Sequence, residues 1–338
     1  MSINFTNLEI KPLDFNQAKD VKNTWEKFDE NISLELLEKM VEKYAAISKG
    51  TIPKTLKTAM LLMCGDHGIA KYGVSAFPPE VTIQMIGGYI RETAGANVMA
   101  RYGGADVFIV DVGVNADLSK WPKVRNLKVA YGTKDFTKGP AMTKEEAIAG
   151  INAGITVANE CIDQGYNMLA TAEMGIGNTT STAAIASAFM NLEPELTVGR
   201  GTGINDERMK VKRNVVKEGL TFNKPKADDA LDILCKVGGY DHAGLIGMIL
   251  AGASRGVPIM VDGVNATAAA LLAYGLNKKC AEYMFCSHLS VEISHKKMLE
   301  ILKLSPIVDA GMRLGEGTGA SLALVVLQRA LDIYNKAK

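Results

Sequence analysis

Glu316 stands between two glycines in Gly315-Glu316-Gly317-Thr318-Gly319, so a carboxylate and several backbone amides share one short turn. A carboxylate beside anion-binding amides is electrostatically costly, and partial burial raises its pKa toward the range of a general base. The other roles open to it are a solvated turn position and a carboxylate capping the helix that follows. Glu173, in Ala-Glu-Met-Gly, is a second acid placed to orient a substrate or a base; a strand-end hydrogen-bonding residue is its alternative. Two more glycine clusters accompany them, Gly175-Ile176-Gly177-Asn178-Thr179-Thr180 and Gly199-Arg200-Gly201-Thr202-Gly203. Glycine lacks the Cβ that would keep a ligand off the backbone N–H groups, and it tolerates positive φ. Each cluster is therefore either an anion site or a bare helix cap, and three of them at strand ends favour phosphate or ribose binding.

Rival chemistries are weaker. Gly315-Glu316-Gly317-Thr318-Gly319-Ala320 also matches G-x-G-x-x-A, but that dinucleotide fingerprint needs a second strand with an acid about twenty residues on. The sequence ends at Lys338, directly after the helix, and in the second cluster Asp206 follows at once, so a dinucleotide-dependent oxidoreductase is disfavoured. His67, His242, His288 and His295 have no metal-ligand spacing, and no metal or cofactor is expected. Asp111 and Asp262 are single acids at strand ends rather than a paired motif for a magnesium diphosphate, so any phosphoribosyl donor is expected to carry a monophosphate.

These turns need strands to present them. After Gly50 and Pro53 the sequence consists of short apolar runs ending in glycine, such as TAMLLMCGDHG, ADVFIVDVGVN, YNMLATAEMGIGN and VPIMVDGVNA, separated by helical stretches. One helix starts at Thr143, with Glu146 completing a capping box, and the strand YNMLAT follows it. The alternation predicts an α/β fold, a mostly parallel Rossmann-like sheet with helices on both faces and a ligand site at the carboxyl ends of the strands. Amphipathic helices in WEKFDENISLELLEKMVEKYAAI and a last helix from about Ala320 to Asn335 predict a small helical subdomain. Its expected extent is 1–50 with about 281–305 and 321–338, leaving 51–280 with about 306–320 as the α/β catalytic domain.

Composition is consistent with this. The 338 residues are 47% hydrophobic and 22% charged, with 38 Lys and Arg against 37 Asp and Glu, so disorder is excluded. A net charge of +1 offers no reason to expect nucleic acid or an acidic membrane as partner. Cys64, Cys161, Cys235, Cys280 and Cys286 are scattered, which argues against a disulfide framework. No signal peptide is read in MSINFTNLEIKPLDF, and Arg255 and Pro258 interrupt the most apolar stretch, so a cytoplasmic location is expected.

The blocks GDHGIAKYGVSAFPPEVT, DVGVNADL, EMGIGNTTS, GRGTGIND, DGVNATAAALL and GMRLGEGTGA resemble, in the same order, the nicotinate-nucleotide–dimethylbenzimidazole phosphoribosyltransferase family. The resemblance implies transfer of 5-phosphoribose from nicotinate mononucleotide to an aromatic lower-ligand base in cobamide biosynthesis, with nicotinate released and no metal ion. Glu316 then matches the catalytic glutamate and Glu173 a second one near the base. Gly175, Gly177, Asn178, Thr179, Gly201, Thr202, Lys212 and Ser290 would hold phosphate and ribose, and Gly315, Gly317, Thr318 and Gly319 would face nicotinate and ribose.

Phe77, Met85, Met174 and Leu314 match the positions that line the acceptor base. Certain benzimidazole-using members place serine and glutamine at the first two, so the apolar slot here admits benzimidazoles or phenolic acceptors. Neutral variation in a promiscuous pocket is the alternative. The resemblance also implies a dimer, homo- or heteromeric, with the site near its interface. A non-catalytic partner subunit is the other reading, and the presence of both glutamates argues against it.

Overall fold

The computed structural model describes residues 5–26 and 34–337. The apolar runs become strands: β1 (Thr58–Gly65), β2 (Ala105–Gly113), β3 (Val124–Asn126), β4 (Met168–Met174), β5 (Ile259–Val261), β6 (Met284–Ser290) and β7 (Pro306–Met312). They form a parallel sheet in the order β3-β2-β1-β4-β5-β6-β7. Every residue of β1 and β4 is buried, as central strands covered on both faces require. Parallel neighbours need crossover connections, and helices supply all but the one from β2 to β3, which is a turn-rich loop. The chain leaves β1 toward β2 and β3, then returns to lay β4 on the other side of β1. That reversal opens a crevice beyond the carboxyl ends of β1 and β4, where ligands bind in open parallel sheets.

Thr143 caps helix Lys144–Asp163 as expected: its hydroxyl accepts from Glu146 N at 3.1 Å, and the Glu146 carboxylate accepts from Thr143 N at 2.7 Å. The final helix runs Thr318–Ala337 and packs against helices Lys19–Glu26 and Glu35–Ile47. The part of the amphipathic N-terminal segment at 27–33 lies outside the described residues.

Residues 281–305 depart from the expected helical grouping. They supply β6 to the sheet and helix His295–Leu302, which packs on β6 and on helix Val264–Leu276. The run Met-Phe-Cys-Ser-His-Leu-Ser is less apolar than its sister strands, yet all but one of its residues are buried, because serine and histidine find hydrogen bonds inside. Among the described residues no helix is long and apolar enough to cross a membrane.

Candidate active site

A cavity of about 590 Å³ opens at the reversal point, within the range of small-molecule sites. Its wall carries Glu173 and Met174 from the end of β4, Ser290 from the end of β6, and Arg313 to Glu316 from the turn after β7. Gly175, Gly177, Asn178, Thr179, Gly201 and Thr202 also line it.

The two glutamates meet here. The Glu173 side chain is buried, only 4% exposed, and accepts a hydrogen bond from Asn178 Nδ2 and a long one, 3.5 Å, from Glu316 N. Burial first, and then the charge of Asp241, push its carboxyl well above the ordinary range, while Asn265 pulls it back. Glu316 is half-buried with φ of 60°, a left-handed conformation flanked by Gly315 at 78° and Gly317 at 80°. Its pKa is also raised, chiefly by burial; the Tyr89 hydroxyl opposes the shift and Asp262 adds to it. Both carboxyls are raised, and Glu316 is the less deeply buried of the two, so the pair differs in how readily each ionises.

Asp262, one residue past β5, holds the turn that carries Glu316. Its carboxylate accepts from Gly317 N at 3.1 Å and Ala320 N at 2.9 Å, and its own N–H donates to Thr171 Oγ1 at 2.8 Å. Asp262, not Glu316, therefore caps the final helix, so the Glu316 carboxyl, which lines the cavity beside Tyr89, is not spent on the cap. A left-handed non-glycine residue costs about 1–2 kcal/mol, and this clamp supplies the surroundings that hold it.

The anion side is more crowded than the glycine pattern implies. Lys212 is fully buried behind Thr179 and donates to its Oγ1 at 2.8 Å; burial lowers the ammonium to about 8, with Glu292 acting in the other direction. Gly201 N donates to Glu292 Oε1 at 2.8 Å. The Thr202 hydroxyl accepts from Ala76 N at 2.8 Å and lies 3.1 Å from Ser75 Oγ, so it ties down the loop that carries Phe77. Asn178 turns its side chain to Glu173 rather than into an anion cradle. Ser290 Oγ accepts from Glu292 N at 3.3 Å.

Three placements correct the sequence expectations. The Gly199–Gly203 cluster does not follow a strand: it lies between the 3-10 turn Pro194–Leu196 and helix Asp206–Asn223. Gly317, Thr318 and Gly319 lie behind the cavity wall rather than on it. At Gly319 a Cβ would fall 1.8 Å from His288 Nδ1, so that glycine makes room for an imidazole, and Thr318 Oγ1 donates to Gly315 O at 2.7 Å. Gly175 is likewise a matter of packing, since a Cβ there would fall 2.0 Å from Gly65 O.

The residues expected to meet the acceptor do share one side of the cavity: Phe77, 53% exposed, Leu314, 61% exposed, half-buried Met85 and buried Met174. Sequence reasoning missed Asn265, His288, Glu292 and Arg313, which also line the cavity. It also missed that His67, Asp241 and His242 bring ligand-type atoms within 4.8 Å of one another in the interior. His67 and Asp241 are 174 positions apart, and no local spacing announces their meeting.

Comparison with known proteins accords with this geometry. A family model described as phosphoribosyltransferase matches residues 10–338. A nicotinate-nucleotide–dimethylbenzimidazole phosphoribosyltransferase of Geobacter sulfurreducens is 45% identical over 90% of this chain and 86% of that protein. One of the same name from Chlorobaculum tepidum is 41% identical over 97% and 93%. The crystal structure of CobT from Thermus thermophilus superposes with a TM-score of 0.89 at 37% identity, covering 95% of this chain and 96% of that one. On identity, coverage and fold together, the chain belongs to the nicotinate-nucleotide–dimethylbenzimidazole phosphoribosyltransferase family.

Proposed function

We propose that this chain transfers 5-phosphoribose from nicotinate mononucleotide to an aromatic base, releasing nicotinate and forming an α-linked ribotide for cobamide biosynthesis. The observation that carries the reading is one cavity that unites the Glu316–Glu173 pair with glycine turns backed by a buried lysine. The donor's 5′-phosphate would lie on Gly177, Thr179 and Gly201, with Lys212 as its counter-charge behind Thr179.

In the donor, the bond from C1′ to the pyridinium nitrogen breaks with its electron pair returning to the ring. That neutralises the ring's positive charge, so the leaving group needs no acid. The acceptor's nitrogen or oxygen forms the new bond to C1′ from the opposite face, which inverts the β-nucleotide to an α-product. The acceptor's proton passes to Glu316, whose raised pKa suits it to take a proton near neutrality. Glu173 holds the turn from behind through Glu316 N, and positioning supplies much of the acceleration.

The acceptor is read from the wall it meets. Phe77 and Met85 offer area and polarizability but no strong hydrogen bond, which suits a flat aromatic held by stacking and shape. Dimethylbenzimidazole fits that description, and phenolic acceptors fit it as a second reading. The test is incubation of the purified chain with nicotinate mononucleotide and, separately, dimethylbenzimidazole, adenine and phenol, following nicotinate release. Release with dimethylbenzimidazole supports the first reading, and release with phenol alone moves the acceptor class. No release with any acceptor until a homologous chain is added would make this a partner subunit and end the proposal as stated.

A further inference from the structure

A line of buried polar groups, joined at one link through the backbone N–H of His242, runs inward from the cavity and is used by none of the steps above. It starts at His67, just past β1, whose Nδ1 lies 2.9 Å from Ser181 Oγ and whose Nε2 lies 3.1 Å from Asp241 Oδ2. The other Asp241 oxygen accepts from His242 N at 2.8 Å and faces His242 Nδ1 at 3.1 Å. His242 Nε2 lies 2.9 Å from Thr182 Oγ1, and Thr182 Oγ1 donates to Asn265 Oδ1 at 2.9 Å. Ser181, Thr182, Asp241, His242 and Asn265 are all buried.

The direction of this line follows from counting hydrogens. A threonine hydroxyl carries one, and here it goes to Asn265 Oδ1, so His242 Nε2 must be the donor to Thr182. With its oxygen engaged, Asn265 presents only its NH₂ to the cavity it lines, and the carboxyl within its reach is Glu173. An isolated amide has no preference between its two faces; here the Thr182 hydroxyl donates to its oxygen on the buried side, and the Glu173 carboxyl accepts from its NH₂ on the other. Asp241 anchors the far end: burial would push its carboxyl up, but His242 and His67 together hold it well below the usual range.

We infer that the line from His67 through Asp241, His242 and Thr182 fixes Asn265 so that its NH₂ orients the Glu173 carboxyl, which makes Thr182 a positioning residue for the transfer. The inference rests on the role proposed above for Glu173. It assigns work to the histidine of the GDHG motif that no ligand contact explains.

Thr182→Val removes the hydroxyl while keeping the shape, and Thr182→Ser keeps the hydroxyl. With nicotinate mononucleotide and dimethylbenzimidazole as substrates, Thr182→Val is expected to lower kcat about 10-fold with the donor KM within twofold, and Thr182→Ser to stay within about twofold of the parent. In the background of Glu173→Gln the valine change is expected to have little further effect, because the group it positions is already altered. Should Thr182→Val lose the native circular dichroism spectrum, Thr182→Ala takes its place in the same cycle.

The arms separate two failures. A Glu173→Gln enzyme as active as the parent would overturn the role given to Glu173. An impaired Glu173→Gln enzyme beside an unimpaired Thr182→Val enzyme would overturn this inference alone, as would equal losses from the valine and serine changes.

Discussion

On the function proposed above, the two walls of the cavity are built on different principles. The wall expected to hold the anion is polar and braced from within, by Lys212 on Thr179 and Gly201 N on Glu292, with the exposed Thr202 tied to the loop at Ser75 and Ala76. The acceptor wall presents exposed apolar surface from Phe77 and Leu314, with the flexible Met85 and Met174 beside it. Directional hydrogen bonds discriminate sharply, because a buried polar group left unpaired costs its full desolvation. Apolar contact discriminates by area and shape, a few kcal/mol at most. One wall can therefore recognise a single donor while the other accommodates several acceptors.

The strongest way to break that picture lies between the walls. Glu316→Gln should lower kcat by ~10²-fold or more, as loss of a general base does, with the native fold retained. Near-parental turnover would remove the residue from that role. In the parent enzyme the base must be ionised, so kcat should rise with pH through a midpoint above the ordinary carboxylate range, because burial raises Glu316. A midpoint at or below that range would contradict the assignment.

On the anion wall, Lys212→Met should raise the donor KM by ~10–100-fold, as expected when a charge-assisted contact is lost, with little effect on the acceptor KM. The buried ammonium sits at about 8, so it is charged below that pH; kcat/KM for the donor should fall as pH rises through that value in the parent. In the methionine variant that limb should disappear, and its persistence would assign the limb to another group.

Effects on the acceptor wall should be smaller and should concern choice. Met85→Gln adds a hydrogen-bonding end at similar volume, and it should shift the kcat/KM ratio of dimethylbenzimidazole to phenol by ~10-fold or less while the donor KM stays unchanged. A donor effect of equal size would erase the distinction between the walls.

The smallest expected effect is on stability. Burial raises the Glu173 carboxyl in the folded state, so its contribution is present below the unfolded-state pKa and lost as pH rises through the folded one. At pH 7 Glu173→Gln should accordingly be more stable than the parent by ~1 kcal/mol, the gain shrinking toward pH 4. Thermal melts of both proteins across that range give the answer, and a parent that stays the more stable at neutral pH would contradict it.

Much of this architecture is legible in the sequence because it is written locally. Apolar runs ending in glycine become the strands, the Thr143 to Glu146 pair starts its helix, and Glu173 and Glu316 fall at the ends of β4 and β7. What escapes such reading depends on distant partners. The Asp262 clamp, the His67–Asp241–His242 group and the imidazole lodged against Gly319 each join segments far apart in the chain. The glycine-rich text overstates the ligand contacts for a related reason. Gly175 and Gly319 are small to admit backbone or imidazole from within the protein, and a pattern of small residues does not say which neighbour occupies the space.

Gly315, Glu316 and Gly317 form three successive residues with positive φ. Branched side chains fit such a backbone poorly, whereas aspartate and asparagine are the non-glycine types that tolerate it best. Drift or selection at position 316 is thereby confined to a short alphabet, and most replacements would reshape the turn before they tested the chemistry. A library at that site would sample loop geometries more than alternative bases, and new reactivity in this scaffold is more readily sought by exchanging what the acceptor wall admits.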